Sequence, residues 1–291
     1  MGYDLYFTGR DVTASEFFAY FSARKYYQVD SSQAIYRNED TGVYFIFDHT
    51  TEIADDPETP KSSISLALNF VRPHIFALEA EPEIAALIDA FSFTVFDPQN
   101  SGMGTGPYSR EGFLQGWNAG NEFGIHSILQ EPDTAASVYT YPSGKLEQCW
   151  KWNLDREAVQ TQLGDGIYVP KIMFLKKEKM ATSSIVWGDA IPTLIPQVDY
   201  ILIPRNDLAP RSFFRTGKDT CLIQFQEVVE DLGRYRTNDF GMSALRLPSQ
   251  KSPAIVVDFV KKLKPFEGKI EGISVDKVLD QELVDRSRMT S

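Results

Sequence analysis

Between Ala34 and Asp48 two short apolar runs, Ala34–Arg37 and Val43–Asp48, flank the polar stretch Asn38-Glu39-Asp40-Thr41-Gly42. Asn and Asp tolerate the left-handed conformation and Gly supplies a positive φ, so the spacing predicts a hairpin. Val43, Phe45 and Phe47 fall on one face of its second strand and Tyr44 and Ile46 on the other, which suits the middle of a sheet. Tyr3–Thr8 and Ser63–Phe70 alternate as strands. Phe17, Phe18 and Phe21 repeat at helical spacing behind a cap at Thr13 or Ser15, and that helix is expected to run to about Tyr27. After Arg72-Pro73, His74–Ala80 reads as a further extended piece. Pro82 then suits the first turn of a helix with the stripe Ile84, Leu87, Ile88 and Phe91, and Phe93–Phe96 closes the unit as a strand. The order β-α-β-β-β-β-α-β predicts an α+β fold, a mainly antiparallel sheet with helices over one face.

Beyond Asp97-Pro98 comes Gly102-Met103-Gly104-Thr105-Gly106, then a helix from about Ser109 in which Gly112, Gly116, Gly120 and Gly124 recur every four residues. Each glycine inside a helix costs about 1 kcal/mol relative to alanine, so four on one face ask for close approach of another backbone. Proline and glycine at 132, 142 and 144 mark a connection. The expected organisation is an acidic α+β domain at 1–130, a linker at 131–144, and a second, mixed α/β-type domain at 145–291. In the second domain Lys145–Leu154, with Trp150 and Trp152 on one face, Ile167–Leu175, Ser183–Trp187 and Val198–Pro204 read as strands. Leu222–Leu232, Ile255–Leu263 and Val275–Val284 read as helices.

Charge sharpens this picture. Residues 1–140 hold 7 Lys/Arg against 20 Asp/Glu, whereas 141–291 hold 22 against 20, so the net charge of −11 comes from the first half. Such a surface either keeps the chain soluble or steers it toward a basic partner. Two cysteines, no signal-peptide pattern at the first residues and no apolar run of membrane-span length predict a protein of a reducing cytoplasm. His49, His74 and His126 lack metal-ligand spacing, and no CxxC occurs, so neither metal nor cofactor is expected. The loop Gly102–Gly106 matches neither GxGxxG nor a P-loop, and it reads as a plain loop rather than a phosphate cradle. Asp155 with Glu157, and Glu227 with Glu230 and Asp231, read as solvated faces rather than acid/base pairs. Lys176-Lys177-Glu178-Lys179 is too short and too mixed for a nucleic-acid groove. The loop 50–62 gathers Glu52, Asp55, Asp56 and Glu58 around Pro57 and Pro60, and Glu79, Glu81 and Glu83 stand at the expected helix start.

The YDLYF strand, the aromatic amphipathic helix and the NEDTGVYF hairpin resemble the start of small cytosolic immunity proteins of bacterial secreted-toxin systems, over residues 3–130. The resemblance implies a binding protein that neutralises a toxin domain by occluding its active site. With the charge pattern, it makes Glu52, Asp55, Asp56, Glu58, Glu79, Glu81 and Glu83 the expected contacts to a basic protein partner, without nucleic acid or membrane. Two other readings stand beside it: an enzyme acting on a small phosphorylated or sugar substrate, and a homo-oligomer held by the glycine-striped helix.

Overall fold

In the computed structural model of the chain, the described residues are 2–50, 61–99, 101–131, 134, 137–178, 180–210, 218–249 and 251–289. The fold is α+β. The chain forms two compact units, one of residues 1–143 with 275–291, the other of 144–274. Two units were expected. The return of the last residues to the first unit was not, nor was a linker that is partly strand, at Tyr139–Tyr141.

The first unit is built on strands β1 (Gly2–Thr8), β2 (Tyr27–Val29), β3 (Gln33–Arg37), β4 (Tyr44–His49), β5 (Ile64–Asn69), β6 (Thr94–Phe96) and β7 (Thr105–Gly106). They lie in the order β2-β3-β4-β5-β1-β6-β7, every neighbouring pair antiparallel. Alternation decides the faces. Tyr3, Leu5, Phe7, Tyr36, Phe45, Phe47, Leu66 and Leu68 are buried on one side. Against that side pack helices α1 (Ala14–Ser22), α2 (Ile75–Phe91) and α3 (Arg110–Leu129). Phe21 of α1 meets Phe47 at 4.9 Å between ring centroids, Glu79 of α2 accepts from Tyr36, and Phe113 of α3 meets Tyr3 edge-on at 5.5 Å. Thr13 caps α1 in a reciprocal box with Glu16. β4 is interior, as expected, but its second face is half-exposed.

The order β-α-β-β-β-β-α-β is met by different residues from those expected. β2 replaces the end of the predicted first helix, and His74–Ala80 is the start of α2, not a strand. Its Ala, Leu and Glu content favours helix, and this outweighs the backbone bond lost at Pro82, which lies inside the helix. The start is held from far along the chain: the His74 amide donates to Asp280 Oδ2 at 2.8 Å, and His74 Nδ1 lies 2.5 Å from Asp280 Oδ1. Asp280 ends a strand, Val278–Asp280, parallel to β8 (Tyr139–Tyr141), and the helix Gln281–Met289 follows. The expected helix Val275–Val284 is thus a 3-10 turn, a strand and the start of that helix. Leu279 and Val284 join Ile125 and Val138 in a small apolar core of their own.

The glycines of α3 are filled by neighbouring side chains. A Cβ at Gly120 would lie 2.2 Å from Phe70 Cζ, one at Gly116 3.2 Å from Tyr3, and one at Gly124 3.2 Å from Val71. Backbone approaches closely at one end, where a Cβ on Gly102 would sit 1.9 Å from the Gly112 carbonyl oxygen. Between these glycines the buried Asn121 accepts from the Val71 and Arg72 amides at 2.7 and 3.2 Å and donates to the Arg72 carbonyl. That clamp holds Val71 at φ 59°, a costly conformation for a β-branched residue. The stripe is consumed inside the chain, which removes it as an oligomer contact.

In the second unit, α4 (Ser143–Leu163) occupies the segment read as a strand at Lys145–Leu154. Leu146, Cys149, Trp152 and Asn153 form its buried stripe, and Trp152 Nε1 donates to the Pro170 carbonyl. Strands β9 (Met173–Lys177), β10 (Met180–Val186), β11 (Leu194–Pro196), β12 (Tyr200–Arg205) and β13 (Asp219–Gln224) follow, then α5 (Phe225–Leu232), β14 (Arg236–Thr237), β15 (Ala244–Arg246), α6 (Ala254–Lys262) and β16 (Gly272–Ile273). The predicted helix Leu222–Leu232 is therefore the end of β13 and then α5. One sheet runs β16-β9-β10-β12-β13, with β10 and β12 parallel and the other pairs antiparallel. The fully buried Arg205 forks onto Asp219 with two bonds of 2.7 Å, and its third nitrogen donates to the Val260, Lys261 and Leu263 carbonyls at the end of α6. Charge there is fully partnered.

Replacing Gly120 by Leu should drive the side chain into Phe70 and destabilise the first unit by about 1–3 kcal/mol in chemical denaturation, as overpacking does. Phe70→Ala in the same chain should restore part of the loss. An unchanged or raised melting temperature for Gly120→Leu would contradict this packing.

Candidate functional site

The acidic loop Glu52, Asp55, Asp56 and Glu58 lies outside the described residues. The other expected contacts stand on α2, and the fold employs all three. Glu79 is only 3% exposed; its Oε1 accepts from Tyr36 Oη at 2.8 Å, Asn38 Nδ2 at 2.8 Å and Thr41 Oγ1 at 2.9 Å. This carboxylate faces the interior and is corrected from surface contact to structural tie. Glu83 holds Arg24 at 2.8 Å and accepts from Tyr27 Oη at 3.0 Å. Glu81 accepts from Tyr108 Oη at 3.1 Å and lies 3.5 Å from Arg110. Burial and the adjoining carboxylates push the Tyr27, Tyr36 and Tyr108 phenols well above their ordinary range, so they remain donors at any pH the fold meets.

With α2 occupied, the outer face of the seven-stranded sheet holds the unit's organised acidic group. Alternation places Asp4 and Tyr6 of β1, Ile35 of β3, Ile46 and Asp48 of β4, and Phe96 of β6 there. In the ladders Asp4 faces Ala67 and Asp48 faces Ser65, so the two carboxylates flank β5 on a diagonal. Loss of hydration, and after it the charge of Asp48, hold the Asp4 carboxyl above the usual carboxylate range. Asp48 accepts from Gln33 Nε2 at 2.8 Å. Tyr6 and Phe96 pair at 5.9 Å between centroids beside them, and Ile46 and Ile35 are half-exposed neighbours. Like charges beside exposed apolar side chains make a surface that a cation would relax. Sequence reasoning missed it because the pair exists only in the register of three strands.

The remaining sites of expected chemistry resolve into structure. Gly104 accepts from the Asp97 amide, Thr105–Gly106 is strand β7, and Ser109 Oγ takes the Gly112 amide at the start of α3. The glycine loop is thus folded against α3, with that amide already satisfied. Cys149 and Cys221 are buried free thiols, and burial pushes Cys149 up to about 12 and raises Cys221. At neutral pH Cys149 carries negligible thiolate. Glu227 accepts from the Gln224 amide at the start of α5, while Glu230, Asp231, Asp155 and Glu157 are exposed. Among the described residues no group of three or more His, Cys, Asp or Glu could hold a metal ion, and no helix is long and apolar enough to cross a membrane. No protein-family model, curated protein or solved structure matches the chain.

Glu79 is the most consequential of these carboxylates. Glu79→Ala leaves three buried donors unpaired and should cost at least about 3 kcal/mol in urea denaturation. Glu79→Gln keeps an acceptor of the same shape and should cost less than half as much. Equal stability of Glu79→Ala and the wild type would overturn the assignment.

Proposed function

We propose that the chain is a binding protein that neutralises a basic partner, a toxin domain, by docking the outer face of its first unit over the partner's active site. The observation that carries this reading is the diagonal pair Asp4 and Asp48 on the outer sheet face, next to Tyr6, Phe96, Ile35 and Ile46. An Arg or Lys inserted between the two carboxylates would replace their mutual repulsion by charge-assisted hydrogen bonds. The aromatic pair and the isoleucines supply the apolar contact that anchors an interface, with charge around it.

The charge of the two units supports the same reading. By sequence the first unit holds 24 acidic and 10 basic residues, net −14, and the second holds 16 and 19, net +3. The excess negative charge resides in the unit that bears the docking face, where it would raise the encounter rate with a cationic protein. The ordered sheet presents that face with little entropy to lose on docking.

The test measures association with a candidate basic toxin domain at low and at moderate salt. Asp4→Lys with Asp48→Lys should slow association about tenfold at low salt, flatten its salt dependence and speed release. Unchanged rates and an unchanged salt slope, in a variant with the wild-type melting temperature, would reject this face as the docking surface.

A further inference from the structure

The second unit contains a cleft of about 390 Å³, within the range of small-molecule sites. Its floor is the face of the mixed sheet that bears Leu175, Lys177, Thr182, Tyr200, Leu222 and Gln224, which the ladders bring together from four strands. Its wall is the strap that leads from α6 to β16. The strap is fastened at both ends: the Phe266 amide donates to the Thr220 carbonyl at 2.8 Å, and the Lys176 amide donates to the Glu271 carbonyl at 2.8 Å. A Cβ at Gly268 would stand 2.4 Å from Phe266 Cζ, so a glycine there lets the ring fold back against the strap. Phe266 and Ile270 line the cleft yet remain 39% and 37% exposed. Two large apolar side chains are thereby held at the mouth of a preformed recess.

The charged groups of the recess are three lysines and two glutamates. Lys176, Lys177 and Lys269 line it against Glu227 and Glu271, and Glu271 lies 3.8 Å from both Lys176 and Lys269. Lys177 differs from the other two. Its ammonium donates to Tyr200 Oη at 2.8 Å and stands 5.3 Å from that ring, and among the described residues it forms an ion pair with no carboxylate. The phenol holds the charge in place, and Glu178 and Asp199 favour it from beyond ion-pair distance.

We infer that this cleft binds a small amphipathic organic anion, its apolar body lying between Phe266, Ile270, Leu175 and Leu222 and its acidic head meeting Lys177 and Tyr200. A carboxylate or phosphate at that point completes the ammonium's electrostatics and accepts from the phenol, while the body covers apolar surface that now faces water. The site is independent of the outer face of the first unit, and its failure would leave the reading of that face untouched.

The test is a fluorescence titration with 8-anilinonaphthalene-1-sulfonate, an aromatic anion, and with uncharged N-phenyl-1-naphthylamine as its control. The wild type should bind the sulfonate saturably at one site. Lys177→Met should weaken the sulfonate about tenfold, the worth of one charge-assisted contact, and the neutral dye less than twofold. Phe266→Ala should weaken both dyes; if that variant fails to fold, Ile270→Ser takes its place, since Ile270 is already part exposed. Absence of saturable binding, or sulfonate affinity indifferent to both Lys177→Met and the apolar variant, would overturn the proposal.

Discussion

A carboxylate in an apolar interior is tolerated only if its lone pairs are satisfied, and the first unit is arranged to satisfy Glu79. Its donors come from the end of β3 and the turn before β4, while Glu79 itself stands on α2. The hairpin and the helix are therefore tied by a group that cannot leave without exposing three unpaired donors. The same hairpin fixes the register of the sheet: Asn38 both donates to Glu79 and accepts from the turn amide of Asp40, and its own amide donates to the Val43 carbonyl. From there the aromatic layer of Tyr36, Phe45, Phe47 and Phe21 extends toward α1.

This constraint divides the acids of the first unit into two kinds. Those of α2 carry the fold: Glu79 inside, Glu81 with Tyr108 and Arg110, Glu83 with Arg24 and Tyr27. Those of the outer sheet face, Asp4 and Asp48, lie near like charge and half-exposed apolar side chains. The second unit follows a different plan. Its buried Arg205 is spent on Asp219 and the end of α6, and cationic lysines line the cleft beneath the strap. Net charge alone records none of this division.

What the sequence made legible was local. Period-2 alternation places β1, β4 and β5, and the Asn-Glu-Asp-Thr-Gly turn places the hairpin, because both depend on neighbours within a few residues. The glycine period of α3 signalled close packing, although the partners proved to be mainly the side chains of Phe70, Tyr3 and Val71. What failed was set by distant residues. At the start of α2 the flanking His74 amide donates to the distant Asp280 carboxylate, so Pro82 misled as a boundary marker. Trp150 and Trp152, two apart, suggested a strand, whereas the helix is decided by Leu146, Cys149 and Asn153 at spacings of three and four. Glu79 looked like surface because three acids alternate around a proline, and only its three donors show otherwise. The Asp4–Asp48 diagonal needs the register of β1, β5 and β4 and has no sequence signature.

The central claim is that the acids of α2 serve the fold while those of the outer sheet face serve the partner. Carbodiimide-driven carboxyl footprinting, read by mass spectrometry on the free chain and on any complex it forms with a candidate basic toxin domain, tests it directly. The account predicts that Asp4 and Asp48 are modified in the free chain and protected in the complex. Glu79 should resist modification in both states, and Glu81 and Glu83 should react equally in both. Protection at Glu81 and Glu83, with Asp4 and Asp48 modified to the same extent in both states, would contradict it.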